Sequence, residues 1–408
     1  MLVTGRTLKL ASLGLAAAMV ATGAKAADGA DVVKIGVLTD LSGTYSDLAG
    51  SGSVWAAKRA VADWMKDHPG AKIEVVQADH QNKPDIAANT ARQWFDTDGV
   101  DVIVDLVTSS TALAVVNIAK EKNKVALVSG AGSSALTGKA CTPNSIHWAY
   151  DTYALASGTG TAITKAGGDT WFFLTADYAF GQALEADTSA VVLKNGGKVV
   201  GSVKHPFPAQ DFSSFLLQAQ SSGAKVIGLA NAGADTSNAI KQASEFGIVQ
   251  GGQKLAGLLV FISDVNALGL KTAQGLQFTE SWYWDTSDAN RAFAKAFSAD
   301  MNGKYPTMVH AGVYSSVIHY LKAVDALKSD NDGAAVVAKM KELPTDDALF
   351  GKGSVRADGR KLHDMYLFEV KKPEESKGPY DYYKLKATIP AAEAWRPMEA
   401  GGCPLVAK

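Results

Sequence analysis

Two hydroxyl-rich loops are the residues of this chain best placed to hold a small polar molecule. The run Val100-Asp-Val-Ile-Val-Asp-Leu-Val-Thr-Ser-Ser-Thr111 ends in one of them, at Thr108, Ser109, Ser110 and Thr111. The run Val125-Ala-Leu-Val-Ser-Gly-Ala-Gly-Ser-Ser-Ala135 ends in the other. Each loop follows a short apolar stretch rich in Val, of the kind that forms a strand buried on both faces. Ligands of parallel α/β sheets bind outside the carboxyl ends of such strands. Hydroxyls and free backbone N–H groups there, especially where a helix starts, are neutral donors suited to an anion. Other chemistries fit less well. Gly130-Ala-Gly-Ser-Ser-Ala135 has the G-x-G-x-x-A form of a dinucleotide loop, but Gly138, Cys141 and Pro143 follow where that motif must open a helix. No G-x-S-x-G elbow occurs, and the seven histidines show no H-E-x-x-H or other metal-ligand spacing. A nicotinamide- or flavin-dependent oxidoreductase, a hydrolase and a metalloenzyme are all disfavoured, and no cofactor is implied.

The elements that must position these loops alternate. Strand-like runs at Val32–Thr39, Lys72–Ala78, Asp101–Val107 and Lys124–Val128 are separated by helical spacing at Val54–Lys66, Pro84–Phe95 and Leu113–Lys120. After an irregular stretch, Pro143–Tyr150, a second unit repeats the rhythm. Its strands are expected at Thr170–Thr175, Lys198–His205, Lys225–Ala230, Leu255–Ile262 and Gly275–Trp282. Helices at Asn290–Met301 and Gly312–Leu327 and a β-like end follow. The fold class is α/β, with two doubly wound units.

Composition limits the partners. The formal net charge is −1, with 47% hydrophobic and 20% charged residues, which is ordinary globular composition and gives no sign of a nucleic-acid or anionic-membrane partner. Arg6 and Lys9, the uncharged run Leu10–Gly23 and Ala24-Lys25-Ala26 have the form of a cleaved export signal over residues 1–26. No later stretch is long and apolar enough to span a bilayer, so stable membrane insertion is not expected. The two cysteines, Cys141 and Cys403, in an exported chain most simply form one disulfide, two free buried thiols being the other reading. Such a bridge would tie the tail, residues 391–408, to the first unit.

Six motifs, in order, carry a resemblance. Lys34-Ile-Gly-Val-Leu-Thr-Asp-Leu-Ser-Gly43, the Thr108–Thr111 loop and the Ser129–Ser134 loop are similar to segments of the periplasmic leucine/isoleucine/valine-binding proteins of ABC importers. So are Asp177-Tyr-Ala-Phe-Gly181, Asp211-Phe-Ser-Ser214 and Gly353-Ser-Val-Arg-Ala-Asp-Gly359. The resemblance implies two doubly wound lobes joined by three crossover strands, the type I periplasmic binding protein fold. It places residues 31–149 and 281–352 in the first lobe and 150–280 and 353–390 in the second. It also implies a periplasmic monomer that closes on a small-molecule ligand and hands it to an ABC permease. The same fold serves sensory proteins feeding a receptor or kinase, and the residues do not separate the two roles.

The site residues carry over by position. Thr108 and Ser109 match the grip on a ligand carboxylate, Ala131 a backbone carbonyl, and Ser133 an N–H and hydroxyl. Tyr178 and Phe180 lie on the loop that covers the ligand from the second lobe. Tyr45 and Tyr150 are further candidates beside them, and Asp264 is the candidate acid for an α-ammonium. Should Asp264 point away, an aromatic or hydroxy acid fits the surrounding Tyr, Phe and Trp residues better than an amino acid. Mass spectrometry of the exported protein is expected to show a mature N-terminus at Ala27 and no free thiol. An uncleaved chain with two alkylatable cysteines would contradict both expectations.

Overall fold

Short β-branched runs buried on both faces make the central strands of two sheets, and the helices between them let those strands run parallel. The computed structural model describes residues 1–2 and 32–406. The expected leader, residues 1–26, lies outside the described residues except for its first two. The first sheet holds β1 (Val33–Thr39), β2 (Ile73–Asp79), β3 (Val102–Asp105), β4 (Val125–Val128) and β5 (Ser145–His147). Its order is β2-β1-β3-β4-β5, and every pairing is parallel. β3 and β4 are buried at each residue, as their continuous apolar sequence requires. β5 was not legible as a strand, because Ser-Ile-His offers one apolar residue and no period.

The second sheet holds β6 (Thr170–Ala176), β7 (Lys198–His205), β8 (Val226–Ala230) and β9 (Lys254–Gly257), in the all-parallel order β7-β6-β8-β9. β9 is shorter than the run 255–262 suggested. The chain leaves the sheet after Gly257 and enters a helix at Ile262–Leu268. β10 (Gln277–Glu280) then pairs antiparallel with a later strand, Met365–Val370, which pairs with Tyr383–Ile389. Phe278, Phe368 and Tyr383 from this small sheet share one core with Leu174, Leu229 and Phe212 beside the second parallel sheet.

Between β10 and Met365 the chain returns to the first sheet. Helix Met308–Leu327 packs on helix Gly50–Asp67 and touches β3, and helix Gly333–Glu342 touches β4. The Thr307 hydroxyl donates to Leu48 O at 2.7 Å, and the His310 ring Nε2 bonds Ala49 O at 2.9 Å. Residues 351–362 also stay with the first sheet. Gly351–Val355 pairs with Thr345–Asp347, and Arg360 forms a bridge with His147 at the end of β5. Residues 308–362 therefore pack with the first sheet, and β10 and the strand Met365–Val370 with the second.

Cys141 and Cys403 are joined across a separation of 262 residues. Around the bridge, Arg396 donates to Ser134 O at 2.9 Å and Arg356 donates to Arg396 O at 2.8 Å. A cross-link stabilises chiefly by restricting the unfolded chain, and more for a longer loop. Replacing both cysteines by Ser is expected to lower the unfolding free energy by about 2–4 kcal/mol in urea titration. An unchanged midpoint would contradict that account.

Candidate functional site

Each parallel sheet reverses its strand order once, between β1 and β3 in the first and between β6 and β8 in the second. Strand-end loops diverge at such a point and leave a crevice. Here the loops after those four strands supply Tyr45, Val107, the pair Tyr178 and Phe180, and Ala232. With Leu48, Tyr150, Leu259 and Phe261 they line a narrow cavity with about 10 Å³ of room, roughly that of one water molecule.

Local chemistry fixes each wall. The Asp40 carboxylate accepts N–H bonds from Gly43 (2.7 Å) and Tyr45 (2.9 Å) and one from Asn82 Nδ2 (2.6 Å), which pins the loop carrying Tyr45. The Tyr45 and Tyr178 hydroxyls bond each other at 2.6 Å. Burial, and then each other's proximity, pushes the Tyr45 phenol well above its ordinary range, and burial does the same to Tyr178. Both therefore stay neutral, and one donates to the other. Tyr150 donates to Gly130 O, while its own carbonyl accepts from Arg360 Nη1. Gly132 is required where it stands. A Cβ there would lie 2.8 Å from the Tyr150 ring and 2.9 Å from the Phe180 ring. Gly233 sits at φ +59°, and a Cβ there would lie 2.9 Å from Thr44 O and from the Tyr45 ring.

The nine expected site residues divide. Tyr45, Tyr150, Tyr178 and Phe180 line the cavity. Thr108, Ser109, Ala131 and Ser133 are buried and do not line it. Thr108 is the N-cap of helix Ser109–Glu121, yet its side chain caps no helix N–H and bonds Asn82 Oδ1 instead. Ser109 Oγ accepts the Ser133 N–H at 3.1 Å. Ala131 O is bonded at 2.7 Å by the His147 ring Nε2, and burial holds that imidazole neutral at ordinary pH. In this arrangement the Ala131 carbonyl already has a partner.

Asp264 belongs to the helix and not to the cavity wall. It is the third residue of helix Ile262–Leu268, where its carboxylate accepts the Phe261 N–H at 2.9 Å and the Ser237 hydroxyl at 3.2 Å. An early-helix Asp that satisfies the preceding backbone N–H is a capping residue. Its oxygens have partners without a ligand ammonium. Among the described residues, no three His, Cys, Asp or Glu side chains converge as metal ligands. The lining residues Leu48, Val107, Ala232, Leu259 and Phe261 were not singled out from sequence. Ala232 follows a legible strand end and could have been found, whereas Leu259 and Phe261 fall in a run that reads as strand interior.

Residues 32–379 match the periplasmic binding protein family. The chain belongs to that family. A periplasmic binding protein from Burkholderia mallei is 55% identical, with a TM-score of 0.89 over 92% of this chain and 100% of that one. A structure from Burkholderia xenovorans LB400, described as a branched-chain amino acid ABC transporter periplasmic ligand-binding protein, is 42% identical. It has a TM-score of 0.81 over 91% of this chain and 99% of the other. A Leu/Ile/Val-binding protein homolog 6 from Brucella abortus is 26% identical over 364 residues, 85% of this chain and 89% of its own length. No helix among the described residues of this binding protein is long and apolar enough to cross a membrane.

Burial pushes the Asp264 carboxyl up to about 7, against the two bonds it accepts, from an unfolded value near 3.8. Between those limits the folded protein holds a proton that the unfolded chain has released. Its contribution is fully present below about pH 4 and is lost as pH rises through about 7. Thermal unfolding at pH 5 and pH 8 is expected to show a larger loss in Tm for the natural protein than for Asp264→Asn. Equal losses would remove Asp264 as the titrating group.

Proposed function

We propose that this binding protein is exported to the periplasm, captures a small carboxylate-bearing ligand between its two lobes and delivers it to an ABC importer. The ligand class is an amino acid or an aromatic or organic acid. The lobes would be residues 31–149 with 281–352 and 150–280 with 353–390, the third crossing falling within 353–364. The observation that carries this reading is the cavity whose walls come from the switch points of both parallel sheets. A ligand there touches both lobes, so binding must favour the closed arrangement.

The carboxylate end is assigned to Thr108, Ser109 and Ser133. The first turn of helix Ser109–Glu121 receives no side-chain cap from Thr108, and helix N-termini attract anions through their free N–H groups. No Lys or Arg lines the cavity, so donors would be neutral and the ligand releasable. The opposite end of the ligand is assigned to Tyr45, Tyr150, Tyr178 and Phe180. Ring walls with few polar groups suit an apolar side chain or a second ring.

A thermal-shift screen of amino acids and aromatic acids should find compounds that raise Tm, since a ligand bound only to the folded state stabilises it. With such a compound, Thr108→Ala or Ser133→Ala is expected to weaken binding by about 1–2 kcal/mol in calorimetry, the usual loss when a buried partner is left unpaired. Solution scattering should show a smaller radius of gyration on binding, and mass spectrometry should recover the ligand unchanged. Unaltered affinity in both variants would place the carboxylate elsewhere, and turnover would replace the binding role with catalysis.

A further inference from the structure

Behind the cavity wall lies a third ring that none of the above uses. Phe207 stands in the loop between β7 and helix Ser213–Ser221. Its ring stacks on Tyr178 at a centroid distance of 4.4 Å and an interplanar angle of 22°. Its other neighbour is Tyr45, at 5.2 Å and 30°. Tyr45 comes from the loop after β1 of the first sheet, whereas Phe207 and Tyr178 follow β7 and β6 of the second. Phe207 does not line the cavity itself.

The loop that presents this ring is held at several points. The Asp235 carboxylate accepts the Ala209 N–H at 3.1 Å. Gln242 accepts the Phe212 N–H at 2.7 Å and donates to Gln210 O at 2.8 Å. The His205 ring bonds Pro206 O through Nδ1 at 2.7 Å and Asn231 through Nε2 at 3.1 Å. Asp235 and Gln242 both sit on helix Ala234–Glu245, so the loop is braced on a rigid element. Such bracing fixes the ring before the lobes meet, and a preorganised contact loses little freedom on forming.

We propose that Phe207 is a positioning residue, an interlobe latch that clamps Tyr45 of the first lobe against Tyr178 of the second and so sets how long a captured ligand stays. This rests on the reading of the cavity as the ligand site. The latch exists only when the lobes are together. Its loss therefore speeds opening and leaves the encounter of ligand with the open form unchanged, as most affinity changes within one interface fall on dissociation.

The test compares the natural protein with Phe207→Ala and Phe207→Tyr, using L-leucine and benzoate as probes in stopped-flow tyrosine and tryptophan fluorescence, and solution scattering with and without probe. For a probe that binds, Phe207→Ala is expected to raise the dissociation rate about tenfold and change the association rate less than about twofold. Phe207→Tyr should restore the natural rate. Without probe, Phe207→Ala should have a larger radius of gyration than the natural protein, at an unchanged Tm. Should neither probe bind, the probe-free comparison alone decides: a larger radius in Phe207→Ala supports the latch, and equal radii overturn it. Should a probe bind, unchanged dissociation in Phe207→Ala overturns the latch whatever the scattering shows. Failure of the site reading is separate. It would appear as probe binding that survives Tyr178→Ala and Thr108→Ala intact.

Discussion

A guanidinium sealed away from water must find carbonyls, and Arg360 finds two of them some 210 residues away in sequence. It is fully buried and donates to Trp148 O, to Tyr150 O at 3.0 Å and to Lys361 O at 3.1 Å. Its guanidinium lies 3.7 Å from the Asp151 carboxylate and 4.3 Å above the Trp395 ring. Burial lowers its pKa only to about 10, so it stays charged at neutral pH. Three residues on, the His363 ring bonds Ala149 O at 2.9 Å. Residues 360–363 are thus laced to residues 148–151, which joins two stretches far apart in sequence. Removing one partner of such a buried cluster leaves the others unpaired and is strongly destabilising, so these contacts are hard to exchange singly. Lys361 beside it is buried too, 4.4 Å from the Phe350 ring and 5.5 Å from Trp148, and burial pushes its amine down to about 7.

The position of Tyr150 follows from that lacing. Its carbonyl is held by Arg360, its hydroxyl reaches Gly130 O, and its ring leaves room at residue 132 only for glycine. The acids near the cavity obey a common rule. Burial raises Asp105 to about 6, against the Thr39 and Ser53 hydroxyls, and Asp235 to about 7, against the Ala209 N–H. With Asp264 they carry protons well above the ordinary carboxylate range.

Much of this was legible in the residues, because its signals are local. Val-rich runs bounded by helices mark the strands, and the hydroxyl loops at their ends mark the side where the crevice lies. The cysteine pair, in an exported chain, marks the bridge. What was not legible depends on contacts distant in sequence. β5 is a strand because β4 and residue 360 flank it, not because Ser-Ile-His favours one. Asp264 reads as a loop acid until Phe261 and Ser237 show it to be a cap. Phe207, followed by Pro208, reads as part of an ordinary loop. Only the meeting of three loops from two sheets gives it ring partners.

The disulfide sits beside the Ser133–Ser134 loop. Cys141 lies three residues beyond Gly138, where a Cβ would be 2.7 Å from Gly401 O, and Arg396 holds Ser134 O from the same tail. The covalent link therefore braces the floor on which Ser133 and Ser134 rest. In a reducing compartment that brace is absent, and the floor depends on noncovalent contacts alone.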